Sequence, residues 1–131
     1  MKKIISEFAA SKSLLAALSA IMLFHVLVII NVIPYEIIWG GRARNRGEII
    51  NLELISIIVN AIMIFVVLIR TGAVRLFISG RWLRILFWLM FAFFLLNTLG
   101  NLFSINQIEK FIFTPLTLFL SFCSLRLALV K

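Results

Sequence analysis

Four apolar runs, at positions 14–33, 49–69, 82–102 and 111–130, occupy most of this 131-residue chain. Each is close to the ~20 residues that a helix needs to cross a bilayer. Hydrocarbon offers no partner to a bare peptide group, so a segment lying in it must satisfy its own backbone, and a helix does that within one segment. These runs predict an all-α, polytopic membrane protein: an antiparallel bundle of four transmembrane helices forming a single domain over residues 1–131. The composition agrees, because 63% of the residues are apolar against about 45–50% in a typical soluble domain.

The charges orient the bundle. With both termini in the cytoplasm, the inner side holds Lys2, Lys3, Lys12, Arg70, Arg75, Arg81, Arg84, Arg126 and Lys131, opposed only by Glu7. The outer side holds Arg42, Arg44, Arg46 and Lys110 against Glu36, Glu48, Glu53 and Glu109, and sums to zero. Nine basic residues against four is the asymmetry of the positive-inside rule. Basic residues placed beside spans attract anionic lipid at the inner face, and a nucleic-acid partner is not expected. The opening Met1-Lys2-Lys3 resembles a signal-peptide start, but the apolar run behind it exceeds the ~7–15 residues of such a segment. It is read as a retained first helix. The lone Cys123 permits no internal disulfide and no multi-cysteine metal site. It is read as a small apolar residue of helix 4.

Several local signals refine the helices. Residues 1–13 are expected to form an interfacial lead-in, and Pro34 to end helix 1, since proline disfavours helical geometry in the residue before it. Ala9, Ser13, Ala16, Ala17 and Ala20 form a small-residue stripe of the kind that lets helices approach closely in lipid. The loop around Tyr35, Trp39, Gly40 and Gly41 is expected to dip back to the headgroup level. Gly72 suits the position just after helix 2, and Ser79 can cap helix 3. Ser104 to Gln107 has capping-box form. Helix 4 then either starts there and kinks at Pro115, the favoured arrangement, or starts at Pro115 itself.

Polar residues inside spans are costly and usually face protein or a water-filled cavity. Here they share faces. Glu53, Ser56 and Asn60 are spaced i, i+3, i+7 in helix 2; Asn97 and Asn101 are spaced i, i+4 in helix 3; Thr114, Thr117, Ser121 and Ser124 form one stripe in helix 4. Most lie in the outer half of the membrane. They predict an outward-facing pocket with Glu53 as its central charge, Arg42 as counter-ion, and Glu36, Asn60, Asn97, Asn101, Thr114 and Thr117 around it. Ser, Thr and Asn stripes also serve as glue between helices, and a structural clasp of Glu53 with Arg42 is the competing interpretation. His25, the single histidine, falls near the middle of helix 1 and is a candidate intramembrane switch. Glu109-Lys110 is expected to be a solvated pair.

There is no Asp and no second His, so the Ser-His-Asp and Cys-His-Asn arrangements cannot be assembled. Neither a P-loop nor a dinucleotide fingerprint is present. An enzyme is therefore the less expected class, and no cofactor or metal is implied.

Trp39-Gly40-Gly41-Arg42, Leu52-Glu53-Leu54-Ile55-Ser56-Ile57 and Asn97-Thr98-Leu99-Gly100-Asn101-Leu102 resemble stretches of small bacterial four-helix membrane proteins without an assigned activity. The resemblance extends from Pro34 onward. It implies a bacterial cytoplasmic-membrane location and the same four-span layout, and it falls on the residues of the polar pocket. The expected function is binding or transport of a small molecule, an ion or a lipid headgroup. The alternative is a structural or accessory subunit, packed as a homo-oligomer or against a larger membrane complex.

Overall fold

The computed structural model describes residues 4–34 and 45–130. Four helices are long and apolar enough to cross a membrane. They are α1 (Glu7–Ile29), α2 (Arg46–Thr71), α3 (Gly80–Leu102) and α4 (Thr114–Ala128), the last preceded without a break by a π-helical turn, Glu109–Phe113. The described residues contain no strand.

Caps explain most of the boundaries, and some differ from the sequence expectation. Ser6 Oγ accepts from the Ala9 N–H at 3.0 Å, so α1 starts at Glu7 and residues 7–13 are its first two turns rather than a separate lead-in. At the other end α1 stops at Ile29, well short of Pro34. Asn31 takes a left-handed φ of 66°, which its short polar side chain tolerates. The Arg46 guanidinium then closes the helix end, donating to Asn31 Oδ1 and to the Ile29 carbonyl, each at 2.9 Å. α2 is capped by Asn45, whose Oδ1 accepts from Glu48 N–H. As expected, it ends at Gly72, with φ 84°, a backbone conformation that favours glycine. Ser79 caps α3.

The start of the fourth span is capped by Asn106 rather than Ser104. Asn106 Oδ1 accepts from the N–H groups of Ile108 and Glu109 at 2.9 and 3.3 Å. Pro115 lies inside the continuous helix. It has no N–H to offer the carbonyl four residues back, and its ring crowds that carbonyl. The wider π turn placed directly before it relieves the conflict.

α1 packs against α2 and α4, and α3 packs against α4, whereas α2 and α3 touch only sparsely. The end of the bundle that carries the start of α1 is pinned by charge. Arg70 Nη2 lies 2.6 Å from Glu7 Oε1, and the buried Arg126 donates from Nε to the Ile5 carbonyl at 2.8 Å. This is called the terminal end; the opposite one, where Arg46 holds Ile29, is the far end. The core joins Ala10, Leu14 and Leu18 of α1 to Met63 and Val67 of α2, Phe87 and Met90 of α3, and Leu120, Cys123 and Leu127 of α4.

The buried row of α1 is thus Ala10, Leu14 and Leu18. It is displaced from the small-residue stripe, of which Ala16 and Ala20 are exposed. Filling the space between α2 and α4 requires leucine volume, and this outweighs close backbone approach. Outward faces carry Leu23, Ile58 and Leu118, all exposed. Exposure of that kind is unremarkable where the solvent is a lipid tail.

Candidate functional site: a polar cavity between α2 and α3

Because α2 and α3 stand apart, a cavity of about 530 Å³ opens between them toward the far end. Uniform α-helical winding puts Glu53, Ser56 and Asn60 of α2 on its wall, and the same periodicity brings Asn97 and Asn101 from α3. α1 contributes His25, α4 contributes Thr117, and the segment entering the fourth span contributes Ser104 and Glu109. Phe24, Phe93, Phe94 and Phe113 supply aromatic surface.

The electrostatic centre is a pair. Glu53 is 1% exposed, and burying a carboxylate without a partner is costly. His25 Nδ1 lies 2.5 Å from Glu53 Oε2, so one hydrogen is held between imidazole and carboxylate across the α1–α2 contact. Phe24 meets the His25 ring edge-on, with centroids 5.8 Å apart, and meets Phe113 in the same way at 5.2 Å. These rings fix the plane of the imidazole. The histidine considered as an isolated switch is therefore bonded to the carboxylate placed at the pocket's centre. Arg42, the expected counter-ion, and Glu36 both lie outside the described residues.

A second carboxylate was hidden by its neighbour in sequence. Glu109 is not a solvated partner of Lys110: it is buried, and Ser104 Oγ donates to its Oε2 at 2.5 Å, while Lys110 is exposed. The π turn that begins at Glu109 carries it to the cavity wall. A first-turn carboxylate close to two polar capping residues was the available signal.

The remaining groups divide between lining and bonding. Asn60 Nδ2 donates to the Leu18 carbonyl at 2.9 Å, tying α2 to α1 at the cavity floor. Thr117 Oγ1 lies 2.9 Å from Thr98 Oγ1 and receives Asn101 Nδ2 at 3.4 Å, joining α3 to α4. Thr98, which sequence spacing did not single out, is buried in this contact. Asn97 donates to the Phe93 carbonyl. Thr114 is the exception among the described candidates. It does not line the cavity, and its Oγ1 is buried without a hydrogen-bond partner. Thr114 stands where π winding gives way to α winding, so the spacing of a uniform helix does not hold across it.

Among the described residues, two carboxylates and one imidazole face this space, and neither lysine nor arginine lines it. No group of three or more metal-ligating side chains is found among them. Carboxylates in a poorly hydrated setting and the faces of aromatic rings both attract positive charge. No family model, curated protein or solved structure matches the chain.

Proposed function

We propose that the chain is a multi-pass protein of a bacterial cytoplasmic membrane that binds a small organic cation in the cavity around Glu53. In this proposal the four spans run antiparallel and both termini lie in the cytoplasm. The exposed Arg75 between α2 and α3, and the exposed Arg81 and Arg84 at the start of α3, then rest against anionic lipid of the inner leaflet. The cavity, at the far end, opens toward the outer half of the membrane.

One observation carries the proposal: Glu53 of α2 and Glu109 of the segment entering α4 converge on one cavity with the rings of Phe24, Phe93 and Phe113. Carboxylates used only as structural clasps need no adjoining space. Here about 530 Å³ adjoins them, within the range of small-molecule sites, about 300–1,000 Å³.

Tetramethylammonium, with acetate as the anionic control, tests the proposal on detergent-purified protein by thermal shift. The cation is expected to raise the unfolding temperature and acetate to leave it unchanged. Glu53→Gln is expected to remove the shift while the protein is still produced in normal amounts. A variant that only lowers yield, with the cation effect intact in what remains, would make Glu53 a clasp. The accessory-subunit assignment would then replace the binding one, with the parted α2–α3 seam as the place for a partner helix.

A further inference from the structure

Toward the terminal end, α2 and α3 flank a second cavity of about 220 Å³, lined by Ile62 and Val66 of α2 and by Leu86, Leu89 and Met90 of α3. Every side chain on its wall is apolar. Val66 and Met90 are buried, whereas Ile62 and Leu89 are exposed, so the space is a groove with a packed base and a rim open to the surroundings. It stops at Val59 and Phe93, which also line the polar cavity. In the other direction its two walls continue to the end of the bundle. Arg70 lies one turn beyond Val66 on the same face of α2, and the exposed Trp82 lies one turn before Leu86 on the same face of α3. From Val59 to Arg70 is eleven residues of one helix, about 17 Å at about 1.5 Å per residue. That is close to half of a hydrocarbon core about 30 Å thick, the depth of one leaflet.

We infer that this groove binds one anionic phospholipid, whose acyl chain lies between α2 and α3 while its phosphate meets arginine at the terminal end. Length and wall chemistry select the tail. A membrane-crossing partner helix needs a contact through both leaflets, and helices associate in lipid through small residues and interhelical hydrogen bonds. The groove wall contains no glycine, alanine, serine or threonine. Its methionines are flexible and adapt to an irregular chain. Charge selects the head. Among the described residues the terminal end carries Lys12, Arg70, Arg75, Arg81, Arg84 and Arg126 against Glu7 alone. Glu7 is taken up by Arg70, and Arg126 is buried on the Ile5 carbonyl. Arg75 stands exposed in the segment that bridges α2 to α3 where the groove ends, and it has no ion pair among the described residues. A guanidinium there can hold a phosphate through two parallel hydrogen bonds. Trp82 suits the headgroup level. Arg84 is two residues from Leu86, on the other side of α3, and adds to the positive field without reaching the groove. The site uses neither carboxylate of the polar cavity, so cation binding can fail without touching it.

The test uses the full chain in phosphatidylcholine nanodiscs and a phosphatidylglycerol probe bearing a photoreactive diazirine near the end of one acyl chain. Labelled positions are mapped by peptide mass spectrometry. A phosphatidylcholine probe with the same tail serves as the zwitterionic control. The anionic probe is expected to label the stretches from Ile62 to Val66 and from Leu86 to Met90 at least tenfold more than the exposed Leu118 of α4. The zwitterionic probe should label the groove at least fivefold less. Arg75→Gln should reduce the anionic labelling at least fivefold, whereas Arg84→Gln, which removes the same charge from the other side of α3, should leave it within twofold. Met90→Trp fills the groove and should abolish labelling there. Leu86→Phe, a milder filling, gives the same direction if the tryptophan variant does not fold.

Labelling spread evenly over lipid-facing positions would overturn the inference. So would groove labelling of equal strength from both probes, because any bilayer lipid would then explain it. An equal loss from Arg75→Gln and Arg84→Gln would replace the site by a general attraction of the basic end for anionic lipid. A groove closed to both probes, with cross-links joining two copies of the chain across it, would make it an interface and overturn the lipid site.

Discussion

The two halves of the bundle surround their charged groups differently. At the terminal end, charged groups meet complementary atoms: Arg70 faces Glu7, and Arg126 holds the Ile5 carbonyl. Between them the helices close on leucine, phenylalanine and methionine. At the far end the carboxylates of Glu53 and Glu109 are drawn inward, and the helices part to leave a cavity. A packed core tolerates little volume change, whereas a polar cavity responds mainly to the loss of a bonding partner. Substitutions in the two halves should therefore fail for different reasons, and the differences can be measured.

The largest effect is expected at the far end. His25→Leu takes from the buried Glu53 the imidazole that bonds it, and removing one partner of a buried pair costs up to about 3–5 kcal/mol. Unfolding of the micelle-bound protein by dodecyl sulfate should register a loss of that size. The double variant His25→Leu/Glu53→Leu should recover most of the stability, since replacing both partners of a buried hydrogen bond by apolar groups can be nearly neutral, yet it should lose the response to tetramethylammonium. Recovery of stability without recovery of binding would separate the two roles of Glu53. A small loss in the single variant would mean that water or another group solvates the carboxylate, and the contrast between the halves would weaken.

Phe87→Ala probes the other half. Phe87 is 1% exposed in the middle of the apolar core. Lipid tails are as apolar as the core, so the transfer term largely cancels in a membrane and the void dominates. At about 24 cal/mol per Å³, a void of roughly 100 Å³ costs about 2 kcal/mol. The same dodecyl sulfate titration should show it, with the tetramethylammonium response unchanged. A variant that also lost the cation response would show that the halves are coupled through α3, which carries Phe87 and the cavity residue Phe94 on one buried face.

What the sequence revealed depended on whether a feature was local to one helix. Hydrocarbon forces each apolar run into a helix, so the faces holding Glu53, Ser56 and Asn60, and Asn97 with Asn101, could be read from spacing alone. Gly72 and Ser79 were legible because capping involves only neighbours in the chain. The pairing of His25 with Glu53 was not, since it depends on the rotation of α1 against α2, which spacing within either helix does not determine. Leu14 and Leu18 displaced the alanine stripe from the interface for the same reason: the volume between three helices decides which face of α1 turns inward. Glu109 and Thr114 were misplaced by a different cause. The π turn before Pro115 changes the winding, and residue positions projected from a uniform helix shift across it.

The smallest effect is expected where the two halves share a helix pair. Thr117 joins α3 to α4 through Thr98 and Asn101 while also facing the cavity. Thr117→Val keeps nearly the same shape and removes the hydroxyl. Hydrogen bonds between membrane helices average about 0.6 kcal/mol, so the titration should move by about that much, far less than for His25→Leu. Asn101, whose amide is 3.4 Å from that hydroxyl, then loses a distant partner that water in the cavity can replace. Thr98 keeps its bond to the Phe94 carbonyl at 2.8 Å, so a loss near 2 kcal/mol would instead show that the α3–α4 contact behaves like the dry half. The size of this one change therefore locates the boundary between the packed half and the open one.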